Sequence, residues 1–226
     1  MIGIVDYGMG NLRSVQKAVA RVSPGVACAV VGTADEVGGC DGLILPGVGA
    51  FGDGMRQLDE RGLSDAVRGF AGSGRAVLGV CLGMQLLFDS STEGAGGGDD
   101  EVAGLGLIGG RVVALEPVRG GVAVKVPHMG WNALSWSGGA GEGDALLEGL
   151  EPGCWVYFVH GYRAEVAEPA DVVATADYGG AVVAVVRRGN VWGTQFHPEK
   201  SQAVGLAMLG NFVGLVERGV AAGAGR

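Results

Sequence analysis

The sequence predicts an α/β domain: a central mixed, mostly parallel sheet flanked by helices, with an antiparallel portion in the second half. Three observations predict it. Through the first half, short β-branched runs alternate with segments of helical period, the pattern of parallel strands joined by crossover helices. From Gly110 onward, short strands follow one another with turn signals and few helices between them. Finally, a chain of 226 residues with 48% apolar residues can bury one full core and fits a single α/β domain better than two small ones. That domain is expected over residues 1–219, with 220–226 as a frayed C-terminal tail.

Ile2 to Asp6 reads as a buried first strand. After the turn Gly8-Met9-Gly10, Leu12, Val15, Val19 and Val22 recur every three or four residues and share one face of a helix that ends near Pro24. Ala27 to Val31 is a second strand. Thr33 and Glu36 form a capping box that opens a short helix, Gly42 to Leu45 is a third strand, and Ala76 to Val80 a fourth that enters a helix at Leu82. Ser90 to Gly104, rich in Gly, Ser and acids, reads as a mobile loop. Beyond it, strands are expected at Val112-Val113, Ala123 to Val126, Trp155 to Val159, Val172 to Ala176, Val182 to Val186 and Val191 to Phe196, then a last helix over Ala203 to Val216.

Composition excludes several function classes. A net charge of −8 argues against nucleic acid, because phosphate-backbone affinity comes from clustered Lys and Arg releasing counterions. No run reaches the roughly 18 apolar residues of a membrane-spanning helix, and Met1 leads into a strand without a basic leader. Cys28, Cys40, Cys81 and Cys154 are widely spaced with no C-x-x-C pair, which points to free thiols in a reducing compartment and so to the cytoplasm. His128 and His160 lack metal-ligand spacing, so no metal is expected.

Cys81 stands in Gly79-Val80-Cys81-Leu82-Gly83, at a strand-to-helix junction. G-x-C-x-G is the thiol form of the nucleophile elbow: small residues two before and two after the nucleophile permit a sharp turn that presents the side chain. A helix starting at Leu82 would aim its N–H groups and positive end at the sulfur, favouring the thiolate, and Leu82 N–H is placed to donate to an oxyanion. A base is also needed. His197 ends an apolar strand, with Pro198 stopping the ladder and Glu199 just beyond to orient the ring. If that strand runs parallel to the one before Cys81, both residues emerge at the same carboxyl edge, where ligands bind in open α/β folds. The loop after the third strand, with Val48 and Gly49, supplies backbone N–H groups there as the second half of an oxyanion hole. It lacks the G-K-[ST] ending of a P-loop.

Gly79-Val80-Cys81-Leu82-Gly83-Met84-Gln85 together with Gln195-Phe196-His197-Pro198-Glu199 resembles the signature pair of class I (triad-type) glutamine amidotransferases. Four further segments are similar, in order and over nearly the full chain, to the glutaminase subunits of imidazole glycerol phosphate synthases. They are Asp6-Tyr7-Gly8-Met9-Gly10-Asn11-Leu12, Pro46-Gly47-Val48-Gly49-Ala50-Phe51, Pro127-His128-Met129-Gly130-Trp131-Asn132 and Val156-Tyr157-Phe158-Val159-His160.

The resemblance implies a flavodoxin-like domain that hydrolyses L-glutamine with no cofactor. It implies ammonia transfer to a (β/α)8-barrel cyclase subunit, in a heterodimer, for L-histidine biosynthesis. Carried over by position, it implies that Cys81 attacks the amide, His197 shuttles the proton and Glu199 orients His197. It implies substrate contacts at Gly49, Gly52, Gln85, Glu93, Gly161 and Tyr162, with Glu93 pairing the ammonium and the segment after His160 binding the α-carboxylate. Such subunits usually carry Ser where this chain has Gly161; backbone donation survives that loss. Asn11, Trp131, Tyr157 and Lys200 match positions that face the cyclase, although core packing is an equal account of Trp131. Three rivals remain open: a glutaminase serving another synthase such as that of pyridoxal phosphate, a γ-glutamyl hydrolase or cysteine peptidase on the same fold, and a binding module without activity.

Overall fold

The computed structural model describes residues 1–94, 100–136 and 141–224, with side chains through 219. In the first half, strands and helices alternate as β1 (Ile2–Val5), α1 (Leu12–Val22), β2 (Cys28–Val31), α2 (Ala34–Gly38), β3 (Gly42–Gly47), α3 (Phe51–Glu60), α4 (Leu63–Gly72), β4 (Ala76–Cys81) and α5 (Leu82–Gln85). The expected capping box forms: Thr33 accepts from Glu36 N–H while the Glu36 carboxylate accepts from Thr33 N–H. Then follow β5 (Phe88–Ser91), β6 (Val102–Ala103), β7 (Ile108–Ala114), β8 (Val118–Arg119), β9 (Val122–Ala123), β10 (His128–Ser135), β11 (Trp155–His160), β12 (Tyr162–Val166), β13 (Val172–Asp177), β14 (Ala181–Arg188) and β15 (Val191–Thr194). Helix α6 (Gln202–Ala224) closes the chain.

Among the described residues the strands make a nine-stranded sheet in the order β11-β10-β13-β14-β15-β4-β3-β1-β2, a four-stranded sheet β12-β7-β5-β6 and the hairpin β8-β9. From β2 to β15 the large sheet is parallel; from β15 to β11 it is antiparallel. The parallel part thus has the 2-1-3-4-5 order of flavodoxin-like domains. Alternating side chains feed two cores. Ile2, Ile4, Ile44 and Leu78 pack under α1 and α6, while Val5, Leu43, Leu45 and Val77 pack under α2, α3 and α4. On α1, Val15 and Val19 are buried with Ala18, as their spacing requires.

Four expectations change. Ser90 to Gly104 is not one loop: β5 pairs in parallel with β7 and antiparallel with β6, because Ser91, fully buried, serves as an interior strand residue despite its polarity. Residues 95–99 of that stretch lie outside the described residues. The strand expected over Ala123 to Val126 shortens to Val122–Ala123, the two residues that pair across the hairpin. The helix after Cys81 is a single turn, ended where Leu86 and Leu87 turn back into β5. The C-terminal segment is helical to Ala224, and 225–226 lie outside the described residues. No helix among the described residues is long and apolar enough to cross a membrane.

The turn of α5 lies flat on the ends of β3 and β4, which only bare backbone allows. A methyl group on Gly79 would sit 2.6 Å from the Gly83 carbonyl oxygen, and one on Gly83 would drive into the Leu45 carbonyl. Neither obstacle is the movable end of a side chain. Gly83→Ala is therefore expected to cost about 3 kcal/mol or more in denaturant unfolding. Gly69→Ala, on α4 with nothing within 4 Å of the added methyl, should stabilise by about 0.5–1 kcal/mol.

Candidate active site

Cys81 closes β4 with φ 55° and ψ −111°, a conformation that L-residues adopt only under constraint. Strand β3 lies on one side, with Gly47 paired to Cys81, and β15 on the other, with Thr194 paired to Val80. Because β4 and β15 are parallel, as the placement of His197 requires, Cys81 and His197 leave the sheet at the same carboxyl edge. The His197 backbone is pinned by a bond from its N–H to the Tyr157 carbonyl at 3.0 Å. Its own carbonyl accepts from the Ser201 hydroxyl at 2.7 Å.

The His197 and Glu199 side chains are almost completely buried, and Nδ1 lies 3.0 Å from Glu199 Oε1. Nε2 has no hydrogen-bond partner among the described residues. Burial opposes the charged ring, but Cys81 and then Glu199 outweigh it and push the His197 pKa up to about 9. The charged ring therefore places a positive charge beside the Cys81 sulfur. That partner replaces the helix dipole expected from the sequence, since a one-turn α5 aligns too few peptides to build one. Around the sulfur, the Val159 carbonyl lies at 3.8 Å and Gln195 Nε2 at 4.0 Å.

A cavity of about 340 Å³ opens over Cys81 and His197. Of the residues expected at the site, Val48, Gly49, Leu82, Gln85, Glu93, Gly161, Tyr162 and Lys200 line it; Glu199 stands behind His197. Gly49 has φ 108°, so this turn of the candidate oxyanion loop requires glycine. Glu93 accepts from Phe51 N–H at 2.8 Å. Its carboxyl is held above the usual range, chiefly by burial; the Phe51 bond works the other way and Asp53 adds to the rise. Such a half-buried carboxylate gains from a cationic ligand group. A side chain at Gly161 would meet nothing nearer than Val126 at 4.0 Å, so the glycine leaves open room at the cavity wall.

Gly52 is not among the residues that line the cavity; a methyl group there would meet the Glu93 and Gly94 backbone at 3.7 Å. Pro127, Val159 and His160 line the cavity although sequence reasoning had not placed them there; the quoted segments ending at His160 and beginning at Pro127 were the only signal. Trp131 is 43% exposed, which rules out core packing. It meets Tyr157 edge-on, with centroids 5.9 Å apart, across the β10–β11 pair. Asn11 lies half-buried at the start of α1. All four cysteines are free, and no group of three or more His, Cys, Asp or Glu among the described residues is placed to hold a metal ion.

Buried His128 and His160 are both held down to about 4, by burial in each case before any neighbour. In the unfolded chain each would take up a proton near its ordinary 6.5. Between about pH 6.5 and 4 the unfolded state therefore binds more protons, and stability is lost as the pH falls through that interval. The unfolding midpoint is expected to drop across pH 6.5 to 4.5, before most carboxylates titrate. A midpoint flat over that interval would contradict the neutral pair.

The family model "Glutamine amidotransferase class-I" matches residues 4–214. The chain is 50% identical over 217 residues to the imidazole glycerol phosphate synthase subunit HisH of Geobacillus thermodenitrificans, covering 96% of each. It is 48% identical to the subunit of the same name from Rhodopirellula baltica, covering 94% of this chain and 96% of that one. A crystal structure of a glutamine amidotransferase, 22% identical, superposes with a TM-score of 0.69 over 96% of this chain and 98% of that one, which speaks for the fold alone. Cys81 on a strained elbow beside His197 and Glu199, inside a chain matched over nearly its full length, settles its kinship: the chain belongs to the class I glutamine amidotransferase family.

Proposed function

We propose that this chain is the glutaminase subunit of an imidazole glycerol phosphate synthase, hydrolysing L-glutamine and passing ammonia to a cyclase subunit in L-histidine biosynthesis in the cytoplasm. The observation that carries the reading is the placement of Cys81 and His197, backed by Glu199, on one wall of a cavity whose other walls hold a half-buried carboxylate, Glu93, and the backbone of Gly161 and Tyr162. That cavity suits a small amino acid with a cationic and an anionic end. Near-full-length identity to subunits of that synthase supports the specific acceptor.

The Cys81 thiolate adds to the glutamine amide carbon, and the oxyanion is received by Leu82 N–H and the Val48–Gly49 backbone. His197 then gives its Nε2 proton to the nitrogen, the C–N bond breaks, and ammonia leaves behind a glutamyl thioester. The ring, now neutral, takes a proton from water as its oxygen attacks the thioester. Collapse of that second adduct releases glutamate and restores the thiolate–imidazolium pair. Glu199 fixes the tautomer and holds the ring's charge.

Ammonia without an acceptor is wasted, so the isolated subunit is expected to be a poor glutaminase. Trp131, Tyr157, Lys200 and Asn11 form the candidate docking face for a (β/α)8-barrel cyclase in a heterodimer. Tyr157 on that face holds the His197 backbone. Docking would reshape the turn at Val48 and Gly49, just past the end of β3, where Val48 is 42% exposed. Glutamate release, measured with the chain alone and after adding cyclase and its ribonucleotide substrate, should rise by about 10-fold or more. Equal rates would sink both the gating and the specific acceptor, leaving a glutaminase of the same class for another synthase such as that of pyridoxal phosphate.

A further inference from the structure

Beside the cavity lies a row of polar side chains that the Cys81 chemistry does not use. Its start is Asn132, whose amide orientation is settled at both ends: Oδ1 accepts from Ala133 N–H at 2.8 Å, and Nδ2 donates to the Asp177 carbonyl at 2.8 Å. The same Nδ2 lies 3.4 Å from His128 Nε2. A donor faces that nitrogen, so the His128 proton sits on Nδ1, which is 3.0 Å from His160 Nε2. His160 in turn carries its proton on Nδ1 and donates to the Tyr162 carbonyl at 2.8 Å. One tautomer of each ring satisfies every contact, and donation runs one way, from Asn132 to Tyr162.

The row is held stiffly. His128 is stacked between Tyr178, at 3.8 Å, and Phe158, at 4.6 Å, nearly parallel to both. The two histidines are 2% and 5% exposed, and burial keeps both uncharged at neutral pH. At its far end the Tyr162 carbonyl takes a second donor, Gln85 Nε2 at 3.3 Å, which is itself bound to Gln195 at 3.0 Å. The preceding carbonyl, Gly161, is taken by Leu115 N–H at 2.8 Å. Because a trans peptide points its N–H opposite its carbonyl, the Tyr162 N–H is turned away from Leu115. Both residues of this locked stretch line the cavity.

We propose that His128 and His160 form a positioning relay, anchored on Asn132, that holds the Gly161–Tyr162 backbone in the conformation that receives the α-carboxylate of glutamine. His128 touches no substrate; it acts through His160 and the Tyr162 carbonyl. The inference rests on the glutaminase reading and adds a determinant of glutamine affinity separate from the chemistry at Cys81. A chain without a side chain at position 161 leans on that backbone alone, which makes its rigidity matter more.

The test uses three variants in the complex with the cyclase. His128→Phe keeps the stacked ring but neither donates nor accepts, His128→Asn places an amide nitrogen where Nδ1 was, and His128→Gln moves that amide to the Nε2 position. Loss of the relay leaves a buried acceptor unpaired, so KM for glutamine is expected to rise about 10-fold in His128→Phe and His128→Gln, with kcat within about twofold. His128→Asn should recover most of the loss. Alkylation of Cys81 by iodoacetamide, which has no carboxylate to place, should proceed at one rate in all four proteins and reports an intact elbow. If His128→Phe loses that rate, the contrast between Asn and Gln decides. An unchanged KM, or an Asn variant no better than Gln, overturns the relay while the glutaminase reading stands. A wild-type complex that turns over no glutamine overturns both.

Discussion

The elbow at Cys81 depends on the backbone of Gly83 lying against the Leu45 carbonyl. That contact lets the single turn of α5 rest on the ends of β3 and β4, and the chain can reach it only by passing through Cys81 at positive φ. Strain of this kind costs about 1–3 kcal/mol. It is offset locally, since Leu82, Met84, Leu86 and Leu87 are buried to within 1% of completely, and each such side chain contributes about 1.5–3 kcal/mol. Packing of the α5 turn therefore exceeds the strain it imposes, and the nucleophile stays fixed without a bound ligand.

The second partner arrives by topology. Parallel pairing of β15 with β4 puts His197 beside Cys81 although the two are 116 positions apart in the sequence. Burial alone would hold the ring neutral; Cys81 on one side and, after it, the Glu199 carboxylate on the other reverse that outcome. His128 and His160, also buried but bonded to each other, to the Asn132 amide and to the Tyr162 carbonyl, go the other way. The chain thus has two kinds of buried histidine, one charged for proton transfer and two neutral for holding a backbone, separated by whether the Cys81 sulfur and the Glu199 carboxylate are in reach.

How much was legible follows from the range of each signal. Gly79, Cys81 and Gly83 act within five residues, so the elbow could be read directly, and the Thr33–Glu36 capping box likewise. Pro198 and Glu199 marked His197 because stopping a strand and orienting a ring are local acts. Ser90 and Ser91 misled, since their polarity describes them in isolation while their burial is decided by the pairing of β5 with β7. The length of α5 was hidden for the same reason: what ends it is the turn back into that second sheet. His128 and His160 were visible only as unpatterned histidines. Their meaning depends on the register of β10 with β11, which sets them opposite each other.

The central claim is that a buried histidine held between Cys81 and Glu199 is charged at rest. Nitrogen-15 NMR titration of the His197 ring tests it most directly, comparing the native chain with Cys81→Ala. The account predicts a ring that titrates well above neutrality, near 9, and a fall when the thiol is removed. A ring that titrates at the ordinary value near 6.5, and does not move on losing Cys81, would contradict it.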